Sequence, residues 1–446
     1  MNGIEGDINT SPARKKWYEQ IRHEETIRQL NEDARYFLHQ SLSTPCLDVL
    51  SSCEGIYLFD INGKKYMDFH GNNVHQVGHR NPYVIEQVKK QMDILPFSPR
   101  RYTNSPAIEA AQKIGSLLPG DLNRVLFAPG GTSAISMALK LARVVTGKQK
   151  IISFWDSFHG ASLDAIGVGG EREFRNHMGL LMPGVERIPP PVTYRGLWSN
   201  ESGDDLIFAE YMEYIIEKEG DIGACIMETV RNTDVQIPSK AYWKKVREIC
   251  TKHNVILILD EIPIAFGRTG KMFAFEHFEI EPDIVCLGKG LGAGIIPIAA
   301  IVARDSYNMA LDSSLGHFTH EKNPLGSIAA MAMLQFIEDN GILQKVKDDE
   351  QFVKAALTEL KSRHEIIGDI RGIGLLWGIE LVQNRISKVK ATVEAEKVMY
   401  YCLEHGLSFK VSQGNVLQLS PPLTITRDQL KEAISILDSA LMHLNQ

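Results

Sequence analysis

Two short apolar runs in this chain each lead into a residue with distinctive chemistry. The run 255–259 (V-I-L-I-L) is closed by Asp260, and the run 284–287 leads into Lys289, which has a glycine on either side. Apolar runs of this length, rich in β-branched residues, predict buried strands. Strand and helix signals alternate from about residue 105 to 305. Such alternation predicts a mostly parallel sheet with helices on both faces.

The strand-end aspartate and the lysine between glycines indicate a particular chemistry. A buried carboxylate is costly without a cationic partner, and a lysine without bulky neighbours leaves room for a planar group on its amine. A pyridinium nitrogen beside Asp260 and an aldehyde held as a Schiff base by Lys289 would satisfy both, which indicates pyridoxal phosphate (PLP). An aspartate in this position is also typical of turns. Segment 288–293 fits the dinucleotide pattern G-x-G-x-x-A, but a strand-like segment, 298–302, follows instead of the required helix.

A candidate phosphate site precedes a predicted helix. Segment 128–133 (A-P-G-G-T-S) opens a stretch, 134–146, with helical apolar spacing. Glycines let backbone amides approach an anion, and a helix N-terminus adds free N–H donors and a favourable dipole. The hydroxyl of Thr132 or Ser133 could add a further hydrogen bond. The same residues are also typical of ordinary helix starts.

Further motifs follow in a fixed order along nearly the whole chain. They are G-T at 131–132 with K-L-A-R at 140–143, F-H-G at 158–160, L-D-E-I at 259–262 with F-G-R-T-G at 266–270, G-H-F-T at 316–319 with N-P at 323–324, R-G-I-G-L at 371–375, and P-P-L at 421–423. Together they resemble the class III aminotransferase family, PLP enzymes of fold type I. The resemblance implies an α/β fold. A large domain would hold a mostly parallel seven-stranded sheet between helices, and a smaller α+β domain would be built from both termini.

The resemblance also implies roles for individual residues. Lys289 would hold the cofactor and act as general base, and Asp260 would keep the ring nitrogen protonated. The other residues expected to contact the cofactor are Gly131, Thr132, Phe158, His159, Glu228, Ile262 and Thr319. Of these, Thr319 would reach the phosphate of the neighbouring subunit's cofactor. The resemblance therefore implies a homodimer with shared active sites.

Departures from the family pattern bear on the reaction. Many members carry a carboxylate-binding arginine three positions before P-P-L, where this chain has Gln418, and Pro263 replaces a common glutamine. A neutral amide cannot replace a bidentate guanidinium. Segments 72–79 and 101–102 resemble the lyase branch of the family. We therefore expect an ammonia-lyase acting on a small phosphonate amino alcohol such as (R)-1-hydroxy-2-aminoethylphosphonate, giving phosphonoacetaldehyde and ammonia by proton abstraction and β-elimination.

Two other functions stay open at this stage. One is an ω-aminotransferase that moves an amino group from a small amine to a keto acid or aldehyde. The other is a catalytically silent PLP-binding protein, which the intact Lys289 and Asp260 disfavour. The leaving group, hydroxide or phosphate, is also open. The candidates for substrate contact are Arg100, Arg101, Arg231 and Gln418.

Composition limits the class of partner. The 446 residues carry a net charge of −7, which argues against nucleic acid and anionic membranes as partners. The longest apolar runs are far shorter than a membrane span, and no apolar segment follows the polar start of the chain. Six cysteines without C-x-x-C spacing predict reduced thiols of a cytoplasmic enzyme. The spacing of His75 and His79 could suit a metal, but the family resemblance implies that none is bound.

The predicted organisation has three parts. Residues 1–80 form an N-terminal segment and part of the small domain, 81–325 the large PLP-binding domain, and 326–446 the C-terminal small domain. Within the first part we predict helices before residue 45 and a hairpin over 56–68 that turns at Asn62-Gly63. A long helix is predicted over 326–338.

Overall fold

The computed structural model describes residues 10–41, 43–44, 46–198 and 204–444. Within them the α-helices are α1 (Pro12–Gln20), α2 (Glu24–Tyr36), α3 (Pro82–Ile94), α4 (Ser105–Ser116), α5 (Gly131–Thr146), α6 (Leu163–Val168), α7 (Arg172–Arg175), α8 (Leu206–Glu219), α9 (Lys240–His253), α10 (Pro324–Asp339), α11 (Ile342–Arg363), α12 (Thr392–Glu404) and α13 (Arg427–His443). The strands in the same residues are β1 (Leu50–Glu54), β2 (Tyr57–Asp60), β3 (Lys65–Asp68), β4 (Leu122–Ala128), β5 (Lys150–Phe154), β6 (Val185–Ile188), β7 (Ile222–Glu228), β8 (Ile256–Asp260), β9 (Ile284–Leu287), β10 (Ala299–Arg304), β11 (Ile367–Ile373), β12 (Leu376–Leu381), β13 (Leu407–Ser408), β14 (Lys410–Ser412) and β15 (Val416–Leu419).

The largest sheet has seven strands in the order β4-β10-β9-β8-β7-β5-β6. Strands β6, β5, β7, β8 and β9 run parallel to one another, whereas β10 is antiparallel to both β9 and β4. The strands predicted over 255–259, 284–287 and 298–302 all form within two residues of their predicted limits. The predicted mostly parallel seven-stranded sheet is therefore confirmed.

The apolar strand runs are explained by burial on both faces of this sheet. Along β8, Leu257 and Leu259 pack into one core, and Ile256 and Ile258 pack into a second core on the opposite face. Adjacent side chains of a strand point to opposite faces, so a strand covered on both sides must be apolar at every position. The first polar side chain after this run, Asp260, marks the end of the strand and the start of the site.

The smaller sheets combine segments from both ends of the chain. Strands β1, β2 and β3 form a sheet with β13, which pairs in parallel with β3, and a second sheet has the order β11-β12-β15-β14. The predicted hairpin is confirmed, because β2 and β3 pair antiparallel around residues 61–64. The predicted N-terminal helices appear as α1 and α2, while residues 1–9 lie outside the described part. The three domain limits stay a prediction.

Arg268 joins three of the motifs. Its side chain is fully buried, and Nη1 donates to the carbonyl oxygens of Leu375, at 3.1 Å, and of Pro421. The backbone N–H of Leu375 donates to the Arg268 carbonyl at 3.0 Å. Burial lowers the pKa of Arg268 to about 9. The guanidinium thus ties the loop after β8 to segments 371–375 and 421–423.

Two predictions from composition can be compared with the structure. All six cysteines lie in described positions and none forms a disulfide, which agrees with the predicted reduced thiols. Among the helices that the structure describes, none combines the length and the apolar character needed to cross a bilayer.

Candidate active site

The ends of three adjacent parallel strands bring the key residues together. In the strand registers Glu228 on β7 lies beside Asp260 on β8, and Asp260 lies beside Cys286 on β9. Lys289 follows shortly after the end of β9, at the start of a short 3-10 helix over Lys289–Gly292. All four residues therefore lie at the carboxyl edge of the sheet. This edge is where open α/β sheets bind their ligands.

Asp260 is buried and is held from two sides. Its side chain is 3% exposed, Oδ2 lies 2.8 Å from Nδ1 of His159, and Oδ1 accepts the backbone N–H of Ile262 at 3.0 Å. Because a carboxylate only accepts hydrogen bonds, the proton of the His159 ring is assigned to Nδ1. The His159 ring is also buried, and its Nε2 has no partner among the described residues. The pair fixes a negative charge at the strand end.

Lys289 has an unusual backbone and a perturbed amine. Its φ of 46° lies in the left-handed region, which is uncommon for a residue other than glycine and is typical of functional sites. Burial lowers the pKa of Lys289, while the charges of Asp260 and Glu228 act in the opposite direction. The lower pKa increases the fraction of neutral amine, the form that acts as a base or nucleophile.

Glu228 is fixed by backbone donors. Its Oε1 accepts the N–H of Phe158 and its Oε2 accepts the N–H of Asn232, both at 3.1 Å. Burial raises the pKa of Glu228, the charge of His159 opposes this, and the charge of Asp260 adds to it. Since both oxygens are held, Glu228 presents a carboxyl group of fixed orientation beside Asp260.

The predicted phosphate site is the N-terminus of α5. The helix begins at Gly131, and no side chain caps its first turn. The hydroxyl of Thr132 lies 2.7 Å from that of Ser162. A Cβ on Gly160, whose φ is 123°, would lie 2.6 Å from Oγ1 of Thr132, so only glycine permits this close approach. Free amides, a hydroxyl pair and a helix dipole suit a phosphate group.

Apolar side chains complete the surroundings of Asp260. Ile262 is 7% exposed and packs against two glycines: a Cβ on Gly131 would lie 3.0 Å from Cδ1 of Ile262, and one on Gly288 would lie 3.3 Å from its Cγ2. Phe158 is half-buried, with its ring centroid 4.6 Å from that of Phe174. A buried anion, an amine, an anion-binding helix end and flanking apolar groups match the parts of PLP. The residues present therefore fit this cofactor.

The candidate substrate residues fall into two groups. Arg231 and Gln418 lie near Glu228: Nε of Arg231 donates to Asp234 at 2.6 Å, and Nε2 of Gln418 donates to the Asn232 carbonyl at 2.8 Å. Burial alone would lower the pKa of Arg231, but the charge of Asp234 raises it. The two residues are almost fully buried.

The second group lies in a more exposed region. Nη2 of Arg100 is 2.7 Å from Nε2 of His317, and Nε of Arg100 is 3.9 Å from Oε2 of Glu321. Arg101 and Thr319 are both exposed. The substrate and cofactor roles assigned from the sequence stay predictions. The structure shows which residues contact each candidate.

Three residues without an assigned role also border the site. The carboxamide of Gln76 is fully buried, has no partner among the described residues, and packs on Gly290, where a Cβ would lie 2.2 Å from the Gln76 Cδ. The charge of Lys410 contributes to lowering the pKa of both His70 and Lys289. Lys410 lies far in the sequence from His70 and Gln76, so only the fold brings it near them.

The histidines near residue 75 form a hydrogen-bonded cluster. Nε2 of His79 lies 2.8 Å from Oδ2 of Asp68, while Oδ1 of Asp68 accepts backbone N–H groups. Potential ligand atoms of Asp68, His75 and His79 lie within 4.8 Å of one another. Burial would raise the pKa of Asp68, but the hydrogen bond from His79 and the charge of His75 lower it. The absence of a metal here stays a prediction.

Comparisons with known proteins agree with this geometry. Residues 40–441 match the family model for aminotransferase class-III. The chain is 58% identical to the (R)-1-hydroxy-2-aminoethylphosphonate ammonia-lyase of Vibrio splendidus, over 98% of this chain and 94% of that protein. It is 33% identical to the leucine/methionine racemase of Thermococcus litoralis, over 96% and 97%. Taurine:2-oxoglutarate aminotransferase of Bifidobacterium kashiwanohense, solved with PLP and glutamate, superposes with a TM-score of 0.89 at 26% identity, over 95% and 99%.

Fold and site together define a PLP-dependent enzyme of fold type I. The chain belongs to the class-III aminotransferase family. The fold class, the cofactor and the resemblance to the lyase branch that the motifs predicted are thereby confirmed. The relatives include a lyase, a racemase and an aminotransferase, so the reaction must be argued separately.

Proposed function

We propose that the protein is a PLP-dependent ammonia-lyase that converts (R)-1-hydroxy-2-aminoethylphosphonate, or a close phosphonate analogue, to phosphonoacetaldehyde and ammonia. The observation that carries this proposal is the 58% identity to such a lyase over 98% of the chain. The neutral Gln418 supports it, because its amide is already bonded to the Asn232 carbonyl and offers no charge to a keto acid.

Two residues of the site are suited to the proton positions that start this reaction. Bound PLP supplies a conjugated cationic ring that stabilises negative charge on the carbon bearing the amine. Asp260, which His159 orients, would hold the proton on the ring nitrogen of the bound cofactor. The Nζ of Lys289 removes a proton from that carbon, a task that its lowered pKa favours. The apolar surroundings of Ile262 and Phe158 limit access of water.

The proposed reaction balances without a second substrate. The C–H proton goes to Lys289 and from there to the hydroxide that leaves as the C–O bond of the neighbouring carbon breaks, so one water is released. The released enamine becomes an imine, which one water hydrolyses to the aldehyde and ammonia. No net oxidation or reduction occurs. This scheme explains why a carboxylate-binding arginine for an amino acceptor is not needed.

The alternative of an ω-aminotransferase is less supported. It rests on the shared scaffold and on relatives such as the taurine:2-oxoglutarate aminotransferase, which is 26% identical. A transaminase must bind its two substrates in turn, and the position of Gln418 offers the second substrate no cation.

The proposed enzyme is a homodimer in the cytoplasm. Thr319 is exposed in the single chain, so it is accessible to the cofactor of a partner subunit. Large apolar side chains are exposed a few residues before Thr319, at Met309 (57%) and Leu311 (90%), and also at Tyr102 (68%), next to Arg101. Such exposure is typical of interfaces when the side chains form a patch. The free cysteines suit a reducing compartment.

Phosphorus NMR on the reaction mixture tests the proposed substrate class. The purified holoenzyme would be incubated with (R)-1-hydroxy-2-aminoethylphosphonate or with phosphoethanolamine. We expect a phosphonate product, phosphonoacetaldehyde, from the first compound and little reaction of the second. Release of inorganic phosphate from phosphoethanolamine at the higher rate would instead identify phosphate as the leaving group.

A further inference from the structure

The carboxamide of Gln76 lies against the turn that carries Lys289 (residues 288–294, the lysine turn). A Cβ built on Gly290, the residue after Lys289, would lie 2.2 Å from both Cδ and Oε1 of Gln76 and 2.4 Å from its Nε2. Non-bonded atoms do not approach so closely, so the carboxamide occupies the place that a side chain at position 290 would need. Gln76 is fully buried. It therefore fills the space beside the residue that follows the lysine.

The other glycines of the lysine turn meet apolar groups. A Cβ on Gly288 would lie 3.3 Å from Cγ2 of Ile262, and one on Gly292 would lie 3.2 Å from Cγ2 of Ile298. Both of these contacts are with hydrocarbon, whereas the contact at position 290 is with an amide. Gln76 is thus the polar one of the three contacts.

The segment that carries Gln76 is itself held in place. The backbone N–H of Leu423, in the P-P-L segment, donates to the Gln76 carbonyl at 2.9 Å. Val74 contacts the far end of the lysine turn, because a Cβ on Gly294 would lie 3.2 Å from Cγ2 of Val74 and 3.4 Å from its carbonyl oxygen. Residues 74–76 therefore contact the lysine turn at two points, positions 290 and 294.

The conformation of Lys289 depends on such contacts. Its φ of 46° is strained for a residue with a side chain, and a strained conformation persists only where the surrounding structure determines it. Among the described residues, no hydrogen bond or ion pair holds the Lys289 amine. The packing around the lysine turn must therefore direct the amine.

The carboxamide of Gln76 is unpaired although it is buried. Neither Oε1 nor Nε2 has a hydrogen-bond partner among the described residues. A methionine of similar shape would fill the space without the free-energy cost of an unpaired amide. The first N–H groups of a helix have no partner inside it, and Gly290 carries one of them in the short helix Lys289–Gly292. Because the last torsion of a glutamine is soft, a small rotation brings Oε1 toward this N–H.

We propose that Gln76 is a positioning residue for Lys289: its carboxamide holds the start of the lysine turn and thereby fixes the direction of the amine. The assignment rests on the role proposed for Lys289 and not on the identity of the substrate. It requires that the amide of Gln76 matters as well as its volume.

Three variants of the holoenzyme separate the amide from the volume. Gln76→Met keeps the volume and removes the amide, Gln76→Asn keeps the amide and removes one methylene, and Gln76→Ala removes both. Gln91→Met serves as the matched control, because it removes another buried carboxamide, one that donates to the Leu95 carbonyl at 3.0 Å next to α3. If Gln76→Met is poorly folded, Gln76→Leu provides the same loss of the amide.

Amide hydrogen exchange of the peptide containing residues 288–294, measured by mass spectrometry, reports on the lysine turn without turnover. We expect this peptide to exchange at least about tenfold faster in Gln76→Met than in the wild type, the loss typical of one hydrogen bond. The increase should be smaller in Gln76→Asn and largest in Gln76→Ala. In Gln91→Met the peptide should exchange as in the wild type.

Kinetics give the second readout. Gln76→Met should lower kcat at least about tenfold with little change in KM, because the base is misdirected while the substrate contacts stay. Gln76→Asn should recover part of this loss. Wild-type exchange or wild-type kcat in Gln76→Met would overturn the assignment, since the side chain would then only fill space. Absence of ammonia release by the wild type, with Gln76-dependent exchange of the lysine turn, would contradict the lyase alone.

Discussion

The Nδ1 atom of His159 lies 2.8 Å from Oδ2 of Asp260, and both side chains are almost completely buried. The aspartate that is expected to hold the cofactor ring nitrogen is thus itself held by the ring of His159. A hydrogen bond of this kind positions a charge precisely and is expensive to remove, because the buried carboxylate loses a partner.

Replacing His159 should therefore impair the site through Asp260. We expect His159→Leu to lower kcat/KM about 10- to 150-fold, the range for a hydrogen bond to a charged group, and to shift the cofactor absorbance. His159→Asn should recover part of the loss, because its amide can donate from a similar position. Steady-state kinetics and absorbance spectra of the two variants provide the measurement. Equal losses in both variants, with an unchanged spectrum, would argue for a purely structural role.

Lys289 should be the residue that retains the cofactor covalently. The purified protein should be yellow, and borohydride should fix the cofactor to a peptide containing Lys289, as detected by mass spectrometry. Lys289→Ala should keep its fold but lose turnover by several orders of magnitude. The variant Lys271→Ala, at a lysine that lies outside the candidate active site, serves as the control. Near-wild-type activity of Lys289→Ala would remove the base from the proposed mechanism.

The shared site can be tested by mixing subunits. Thr319→Glu should weaken PLP binding in homodimers, because it places a carboxylate near the expected phosphate. A mixed dimer with Lys289→Ala would contain one site with an intact lysine and an intact Thr319 from the partner. We therefore expect mixtures of the two inactive variants to regain up to about a quarter of the wild-type sites by random pairing. Mixtures that stay inactive although mixed dimers form would show that Thr319 serves its own chain.

Glu261 predicts a pH dependence of stability. Its carboxyl group is fully buried, accepts the backbone N–H of Ala274 at 2.7 Å and of Phe275 at 2.9 Å, and burial raises its pKa from 4.5 to about 7. Between these values the folded protein holds a proton that the unfolded chain has released. Its contribution to stability is therefore fully present below pH 4.5 and is lost as the pH rises through 7.

A neutral replacement should remove this dependence. Between pH 4.5 and 7 the free energy of unfolding should fall less steeply with pH in Glu261→Gln than in the wild type. The two slopes should differ by up to about 1.4 kcal/mol per pH unit. Urea unfolding midpoints at several pH values, compared between the two proteins, give the measurement. Parallel pH profiles would contradict the raised pKa.

The sequence predicted the parts of the structure that have local signals. The buried strands near Asp260 and Lys289 are continuous apolar runs, and their limits were predicted within two residues. The antiparallel direction of β10 carries no such signal, because a fully buried strand has the same apolar composition in either orientation. The existence of β10 was predicted from the sequence, but its antiparallel direction was not.

The residues that the small sheets bring near the site could not be predicted from local signals in the same way. His70 lies near Lys410 because residue 69 is held between residues 408 and 420. The two hydrogen bonds of residue 69 join segments more than 300 residues apart. In contrast, the pairing of Arg231 with Asp234, three positions away, was visible in the sequence and would have indicated that its charge is compensated.

The count of ammonia molecules per active site, without any keto acid or aldehyde, tests the central claim most directly. A lyase regenerates its cofactor in each cycle, so the holoenzyme with excess (R)-1-hydroxy-2-aminoethylphosphonate should release hundreds of ammonia molecules per site, matched one to one by phosphonoacetaldehyde. A transaminase would stop after about one amino group per site, because no acceptor removes it. Arrest after a single turnover, with recovery on addition of pyruvate or 2-oxoglutarate, would contradict the proposed lyase.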